Sequence, residues 1–577
     1  MSEVYRPEHP RPQFRRDNWL NLNGKWKFTF DFSLSGEEKS WQSDASQLTG
    51  DINVPFCPES RLSGVGYTDF IPCIWYSRTF EVPPEWSGMR VFLNIGAADY
   101  DCRAWVNGKS VGRHYGTGSS FSFDMTEAIQ SKENLLVVCV KDEIRSGVQP
   151  VGKQSRLLHS HGCDYTRTTG IWQTVWLEAR PLSFIESVRI IPGLDEGKFT
   201  LIPTFNGDTK RFTFRTTVND GICSEARCTS GVPVQLDIEN PHPWSPVNPY
   251  LYDMRFEILE NGKTVDLVHS YAGLRKFVID GNRFYLNNEP IFLRLVLDQG
   301  FYPEGIWTAP SDDELRGDIE RSMTLGFNGA RLHQKVFEER FHYWADKLGY
   351  LTWGEFCDWG MDFRQPQSIH NHQREWREVV MRDMNHPSII AWTPFNESSG
   401  GATADFEAHR RAVSETYELT KALDPTRPVN DASGWVHVQP DIYTMHNYEQ
   451  NPEKFAQTYA SVSPDARGKF CVAFPKFDIG YKGQPFVIDE YGGTFWDLDA
   501  VLDSGWGYGQ RPKDTKEVLK RIEGLTSVLT DHPNIAGFCY TQLTDVEQEK
   551  NGLYTYDRRL KFDQERLRKA FSREHRF

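Results

Sequence analysis

Through residues 1 to about 182, apolar and β-branched residues come in short runs: WYSRTFEVP (75–83), RVFLNIGAADYDCRAWVNGKSVG (90–112) and NLLVVCVKDE (134–143). Asn-Gly, Gly and Pro break them, and helical periodicity is nearly absent. The pattern predicts a β-sandwich or jelly roll. Val106-Asn107-Gly108-Lys109 carries the signal of a tight hairpin with a primed turn. From about 183 to 277 the strands continue in FIESVRIIPG, FTLIPTFN, RFTFRTTVND and YLYDMRFEILENGKTVDLVHSYAG. Roughly seven short strands in one segment predict an immunoglobulin-like sandwich, although the Cys…Trp…Cys spacing of antibody domains is missing.

After about residue 278 the pattern changes to alternation. PIFLRLVL (290–297) is followed by a helix opening at Ser311, with Glu314 three residues on as in a capping box. NGARLH (328–333), LTWGEF (351–356), IIAWTPFN (389–396) and PFVIDEYG (485–492) each precede an amphipathic stretch, and IAGFCYTQLTD (535–545) precedes a last one. VNDAS (429–433) and DIYTMHNY (441–448) supply the fifth and sixth strands, with no clear helix between them. Eight strand candidates alternating with helices predict a (β/α)8 TIM barrel. The expected fold is multidomain, β and α/β: a jelly-roll sugar-binding-like domain over 1–182, an immunoglobulin-like β-sandwich over 183–277 and a catalytic TIM barrel over 278–577.

Composition narrows the class. Aromatic residues make up 14% of the chain, with 18 Trp, which suits both sandwich cores and sugar-binding clefts. A formal charge of −14 without a basic patch argues against nucleic acid and anionic membrane as partners. The ten cysteines are scattered without a CxxC pair, as expected of reduced, mostly buried thiols. The N-terminal stretch has no apolar segment of a secretory signal and no run reaches membrane-spanning length, so a cytoplasmic protein is expected.

The apolar run ending at Trp392 delivers Asn396 and Glu397 to the exit of the fourth barrel strand. Chemistry in a TIM barrel sits where strands end at the C-terminal face. Glu490, in VIDEYGG at the end of the seventh strand, is the matching carboxylate. Two carboxylates across a barrel mouth are the minimal apparatus for glycoside hydrolysis: one protonates the leaving oxygen, the other attacks the anomeric carbon or activates water. Asn396 is placed to donate to the sugar 2-hydroxyl.

With these motifs the chain resembles glycoside hydrolase family 2, the β-galactosidases, β-glucuronidases and β-mannosidases. NLNGKWKF, GIWQTVWLE, PWSPVNPYLYDMRF and GLRKFVIDGNRFYLNNEPIFLR carry the likeness through the sandwiches; NGARLHQ, RDMNHPSIIAWTPFNES and FVIDEYGG carry it through the barrel. The resemblance implies that Glu397 is the acid/base and Glu490 the nucleophile of a retaining double displacement. It also implies that Tyr448 and Arg331 steady the nucleophile and that Asn396 holds the 2-hydroxyl. Asp298, His333, Glu355 and Gln542 are further candidates for substrate binding, with Trp307 and Trp359 as weaker ones. Retaining carboxylates should lie about 5–5.5 Å apart.

The chain departs from the family where the sugar is read. Leu297-Asp298-Gln299-Gly300 stands after strand one where many members carry an Asn-Arg-His-Glu type run, and Cys539-Tyr540-Thr541-Gln542 lacks the usual tryptophan of strand eight. Glucuronidases of the family grip the substrate carboxylate with an Asn-x-Lys pair. Here Glu549-Lys550-Asn551 puts Glu at the Asn position and Asn at the Lys position. Like-charge opposition from Glu549 therefore favours a neutral sugar, with a β-galactoside as the leading substrate. A β-hexuronidase (β-glucuronidase or β-galacturonidase), with Lys550 as a shifted grip, and a non-catalytic carbohydrate-binding protein are the alternatives. No cofactor and no metal is expected; His159, His161 and Cys163 match no zinc spacing. The partner is an oligosaccharide or glycoside, and a homo-oligomer is expected.

Overall fold

The computed structural model describes residues 5–206, 211–219, 221–398, 406–466, 476–499 and 505–575. Residues 5–182 form a short two-stranded sheet, Ala98–Asp99 with Gly170–Ile171, and two packed antiparallel sheets. One has four strands, in the spatial order Trp19–Asn21, Val175–Arg180, Arg90–Ile95, Phe121–Asp124. The other has six, in the order Gly50–Val54, Gly24–Phe30, Cys73–Phe80, Asn134–Lys141, Asp101–Val106, Lys109–Tyr115. Their inward faces build one core around Trp26, Ile74, Leu93, Val138 and Leu177. The hairpin expected at Asn107-Gly108 is there, with φ of 51° and 78° at the two turn residues, the left-handed pair that a type I′ turn requires.

Residues 185–272 make a second sandwich of three and four strands. Alternating residues such as Phe199, Leu201, Phe214, Phe256 and Val268 fill its core. Arg16 binds Glu178 of the first sandwich (2.9 Å) and Asp266 of the second (2.8 Å), fixing the two together.

The barrel is a parallel sheet in the order Ile389–Thr393, Leu351–Glu355, Gly329–Leu332, Leu293–Asp298, Gly537–Thr541, Phe486–Gly492, Tyr443–Asn447. The seat between the first and last of these belongs to 429–433. That segment is not a strand; it joins the sheet through two parallel bridges, Trp392 to Val429 and Asn396 to Ser433. The first helix, Asp312–Thr324, begins as expected, with Ser311 accepting the Glu314 N–H. The reciprocal half of the capping box is missing, because the Glu314 carboxylate pairs with Arg321 (3.2 Å) instead. The amphipathic stretch expected after IIAWTPFN, ADFEAHRRAVSETYELTKALD (404–424), is helical from Phe406 to Leu423, and its first two positions lie outside the described residues. No helix among the described residues is long and apolar enough to cross a membrane.

The first sandwich is bound to the barrel by polar contacts that matter for the site. Glu375, on barrel helix Pro366–Asp383, accepts the N–H groups of Thr117, Gly118 and Ser119 at 2.7, 2.7 and 3.2 Å. Burial still pushes it up to about 7, as it does Glu59. Both hold a proton more tightly folded than unfolded, so the stability they contribute is lost as pH rises from their ordinary 4.5 through about 7. His437 is lowered by burial, but Asp431 outweighs this and raises it to about 9; its contribution is complete below 6.5 and lost through 9. Buried His9 and His342, lowered to about 3, act in the opposite sense, but their contribution is complete by 6.5. Lys335, lowered by burial from 10.5 to about 7, acts against His437 above pH 7, so the thermal midpoint is expected to fall between pH 6.5 and about 7.5, where the raised carboxyls titrate. A calorimetric series with a flat or rising midpoint over that window would contradict the assignment.

Candidate active site

The fourth barrel strand, Ile389–Thr393, is buried on both faces and stops at Pro394. Beyond it the backbone is pinned from three sides. The Asn396 N–H donates to Asp358 (2.9 Å), Trp359 Nε1 donates to the Asn396 carbonyl (3.0 Å), and the Glu397 N–H donates to the Ser433 carbonyl (2.8 Å). These contacts hold Glu397 at φ 48°, a left-handed conformation that costs a non-glycine residue about 1–3 kcal/mol. The strained turn aims its carboxylate over the barrel mouth.

Across the mouth, the strand Phe486–Gly492 delivers Asp489 and Glu490 in succession, both buried. Its register with both neighbours shifts here, between Ile488 and Tyr491 on one side and Thr444 and His446 on the other. Such irregularities re-aim side chains next to active sites. Glu490 accepts from Arg331 through one oxygen and from Tyr448 through the other. Arg331 also donates to Glu355 (2.7 Å), Ser433 Oγ (2.7 Å) and Asn396 Oδ1 (3.1 Å). An arginine can only donate, so the Asn396 atom facing it is the oxygen. The Asn396 amide nitrogen is left buried and without a partner among the described residues.

His446 joins the two carboxylates. Its Nδ1 lies 2.7 Å from Glu397 Oε1 and 3.4 Å from Glu490 Oε2, while Nε2 lies 3.0 Å from Ser433 Oγ. Burial would lower its pKa, but Glu490, Asp489 and Glu397 outweigh burial and raise it, so the ring favours the imidazolium that can serve both acids. Gly434 stands against the ring at φ 79°, where a Cβ would come within 2.3 Å of His446 Cδ2, so only glycine leaves room for this histidine. Glu397, His446 and Glu490 each place one ligand-capable atom within 4.8 Å of the others. Glu490's oxygens already accept from Arg331 and Tyr448, and His446 Nδ1 faces Glu397, which makes the trio a proton-carrying contact.

Seven sequence candidates thus converge: Glu397, Glu490, Asn396, Arg331, Tyr448, Glu355 and His333. His333 Nδ1 lies 3.0 Å from Glu355, and burial lowers its pKa well below the ordinary value, so it donates as a neutral imidazole. Burial pushes Glu355 up to about 7 against the pull of Arg331. The Tyr448 ring stacks on Tyr508, with centroids 3.4 Å apart.

Asp298 is not brought to this group. It accepts the Gly300 N–H (2.9 Å), burial pushes it up to about 6, and its charged neighbours are Asp318, Arg558 and Lys335. Trp307 is core, packed edge-on against Trp172 and Phe301. Gln542 belongs to a closed hydrogen-bonded ring: Gln299 donates to Gln542 (2.6 Å) and Tyr165 (2.8 Å), Gln542 to Asn551 (2.7 Å), and both Asn551 (2.8 Å) and Tyr165 to Glu549. Both oxygens of Glu549 are therefore occupied, and burial raises its pKa. The expected repulsion of a uronate by Glu549 is weakened, since the carboxylate is turned into this ring, burial favours its neutral form and Lys153 stands beside it. The loop holding His159, His161 and Cys163 does approach the barrel, with Gln548 donating to the carbonyls of Gly162 (2.9 Å) and Asp164 (3.0 Å).

A buried glutamate held by an arginine and a tyrosine, faced by a half-buried glutamate from another strand end of a TIM barrel, is the arrangement that glycosidases use. Three family models match in succession: "Glycosyl hydrolases family 2, sugar binding domain" over 20–181, "Glycosyl hydrolases family 2" over 185–275 and "Glycosyl hydrolases family 2, TIM barrel domain" over 312–499. The chain belongs to glycoside hydrolase family 2. It is 25% identical over 445 residues to a Paenibacillus borealis protein named β-glucuronidase, covering 71% of this chain and 72% of that one. A Mus musculus β-glucuronidase is 24% identical over 455 residues, covering 71% and 68%. Among solved structures, a Ruminococcus gnavus β-glucuronidase in complex with D-glucuronic acid superposes with a TM-score of 0.80 at 19% identity, covering 98% of this chain and all of that one. A Lactobacillus rhamnosus β-glucuronidase gives 0.80 at 21%, covering 98% and 99%. These relatives do not support the expected β-galactosidase; a hexuronidase fits them better.

Proposed function

We propose that the protein is an exo-acting, retaining β-hexuronidase, with β-glucuronides as its leading substrates. The observation that carries the reaction is the pairing of Glu397 and Glu490 through His446, with Glu490 clamped by Arg331 and Tyr448. One oxygen of each glutamate lies within 4.8 Å of the other, which fits the short separation of retaining enzymes and leaves no room for the water that an inverting pair holds over about 6.5–9.5 Å. The choice of sugar rests on the names of the relatives.

In this reading Glu490 is the nucleophile. Its two donors aim the attacking carboxylate, and a bond forms from it to the anomeric carbon as the bond to the leaving oxygen breaks. Glu397 gives its proton to that oxygen. Its Oε2 has no hydrogen bond among the described residues and is the atom free to do so; Oε1 is held by His446. In the second step Glu397 takes a proton from water, which attacks the anomeric carbon and releases Glu490. The unpartnered Asn396 amide donates to the 2-hydroxyl, a contact that strengthens as the ring gains oxocarbenium character.

Steady-state kinetics on the 4-nitrophenyl β-glucuronide, β-galacturonide and β-galactoside, with the first-formed sugar observed by proton NMR, tests both halves. The expected result is a uronide preference and a first-formed β-anomer. A first-formed α-anomer would overturn the mechanism, and a galactoside preference would overturn the sugar.

A further inference from the structure

One cation at this site has no hydrogen-bond or ion-pair partner among the described residues. Lys153 comes from the first sandwich, on a loop tied to the barrel by Val151 and Gly152, whose N–H groups donate to the Trp359 carbonyl at 2.8 and 3.3 Å. Gly152 sits at φ 65°, where a Cβ would come within 2.5 Å of the Gln334 carbonyl, so the loop passes as close to the barrel as a backbone can. Lys153 is 7% exposed. Its ammonium lies 3.8 Å from the centre of the Trp359 ring, and that indole donates to the Asn396 carbonyl. Its electrostatic neighbours are Cys163, Glu549, Glu397 and Glu490, and His333 feels it in turn. Yet among the described residues it makes no side-chain hydrogen bond and no ion pair. The other two buried cations nearby are engaged: Arg331 with Glu355 and Glu490, Lys335 with the carbonyls of Gly300 and Trp307.

The field of Glu549, Glu397 and Glu490 favours the ammonium against the cost of burial, yet none of them is within ion-pair distance, so the charge is held where an entering anion can pair with it. Two of the carboxylates acting on it, Glu397 and Glu490, are the pair of the proposed reaction. We propose that Lys153, donated by the sugar-binding-like domain, is the specificity-determining residue that grips the C6 carboxylate of a β-hexuronide. Lys550, the grip considered from sequence, lies apart: its stem packs by Gly505, and its charged neighbours include Asp545 and Lys561. The assignment rests on the hexuronidase reading and adds to it the residue that reads the acid.

The test compares the wild type with K153Q, K153M and K153R on 4-nitrophenyl β-glucuronide and 4-nitrophenyl β-glucoside, which differ only in oxidation at C6. In K153Q, kcat/KM on the glucuronide should fall on the order of 10²-fold more than on the glucoside, as expected for loss of a buried charge-assisted contact. The loss should sit mainly in KM, K153R should recover part of it, and inhibition by free D-glucuronate should weaken while inhibition by D-glucose should not. Equal losses on both substrates would assign Lys153 to packing or hydroxyl binding and overturn the proposal, as would an unchanged ratio. A wild type without uronide preference would sink the hexuronidase reading and this grip with it; a wild-type preference that survives in K153Q sinks the grip alone. If K153Q does not fold, K153M, of similar length and apolar like the Trp359 face, gives the same ratio.

Discussion

Replacing Glu490 by alanine is expected to lower kcat by on the order of 10⁴–10⁶-fold, the scale found when a nucleophile is removed. The protein should remain folded. Arg331, which loses Glu490, keeps Glu355, Ser433 and Asn396 as partners, so its guanidinium is not left bare. With Glu490 as nucleophile, the cavity left by the carboxylate would lie on the face of the anomeric carbon that it attacks. Azide entering it should restore activity and yield the α-glycosyl azide from a β-glycoside, one displacement in place of two. That product separates the assignment from a merely structural role, since a destabilised site would not be rescued with inversion. Residual activity within tenfold of wild type, or an azide product of unchanged configuration, would remove Glu490 from the nucleophile's place.

Features set by local rules could be read from the chain alone. The Asn107-Gly108 hairpin and the Ser311 cap depend on a few adjacent residues, and both form. The two sandwiches and the barrel could be read because strand and helix periods change at their borders. Glu397 and Glu490 stood out because a strand end in a barrel is a predictable place.

What the sequence hid depends on contacts between distant segments. The 429–433 stretch was expected as a strand, but Ser433 is taken up as a hub: its Oγ donates to Asp489 (2.6 Å) and meets Arg331 and His446. His446 was missed although a signal was present. It lies two residues before Tyr448, and at the end of a strand such residues share a face. Asp298 shows the converse, since a strand-end position does not say whether the side chain turns to the mouth or to the surrounding helices. The charge logic at Glu549 misled because its effect depends on Tyr165, a residue 384 positions away. Lys153 carried no sequence signal at all.

Glu397→Ala should behave differently from Glu490→Ala, and the difference is the sharper test. A 2,4-dinitrophenyl leaving group departs without a proton, so glycosylation of Glu490 should proceed at a rate close to wild type. A poor leaving group such as an alkyl alcohol needs the proton, and its kcat/KM should fall on the order of 10³-fold or more, within the range that general acid catalysis contributes. With the good leaving group the second step becomes limiting, because no base activates water. The glycosyl-enzyme should accumulate, giving a burst and a low apparent KM. Azide, which needs no base, should relieve that step and yield the β-glycosyl azide, the opposite anomer to that from Glu490→Ala. The alkaline limb of the kcat/KM profile should also vanish on the good substrate, since no proton donor is then required. His446, which keeps Glu490 and Ser433 after the change, should hold the site in place. Equal losses on good and poor leaving groups would show that the proton comes from elsewhere.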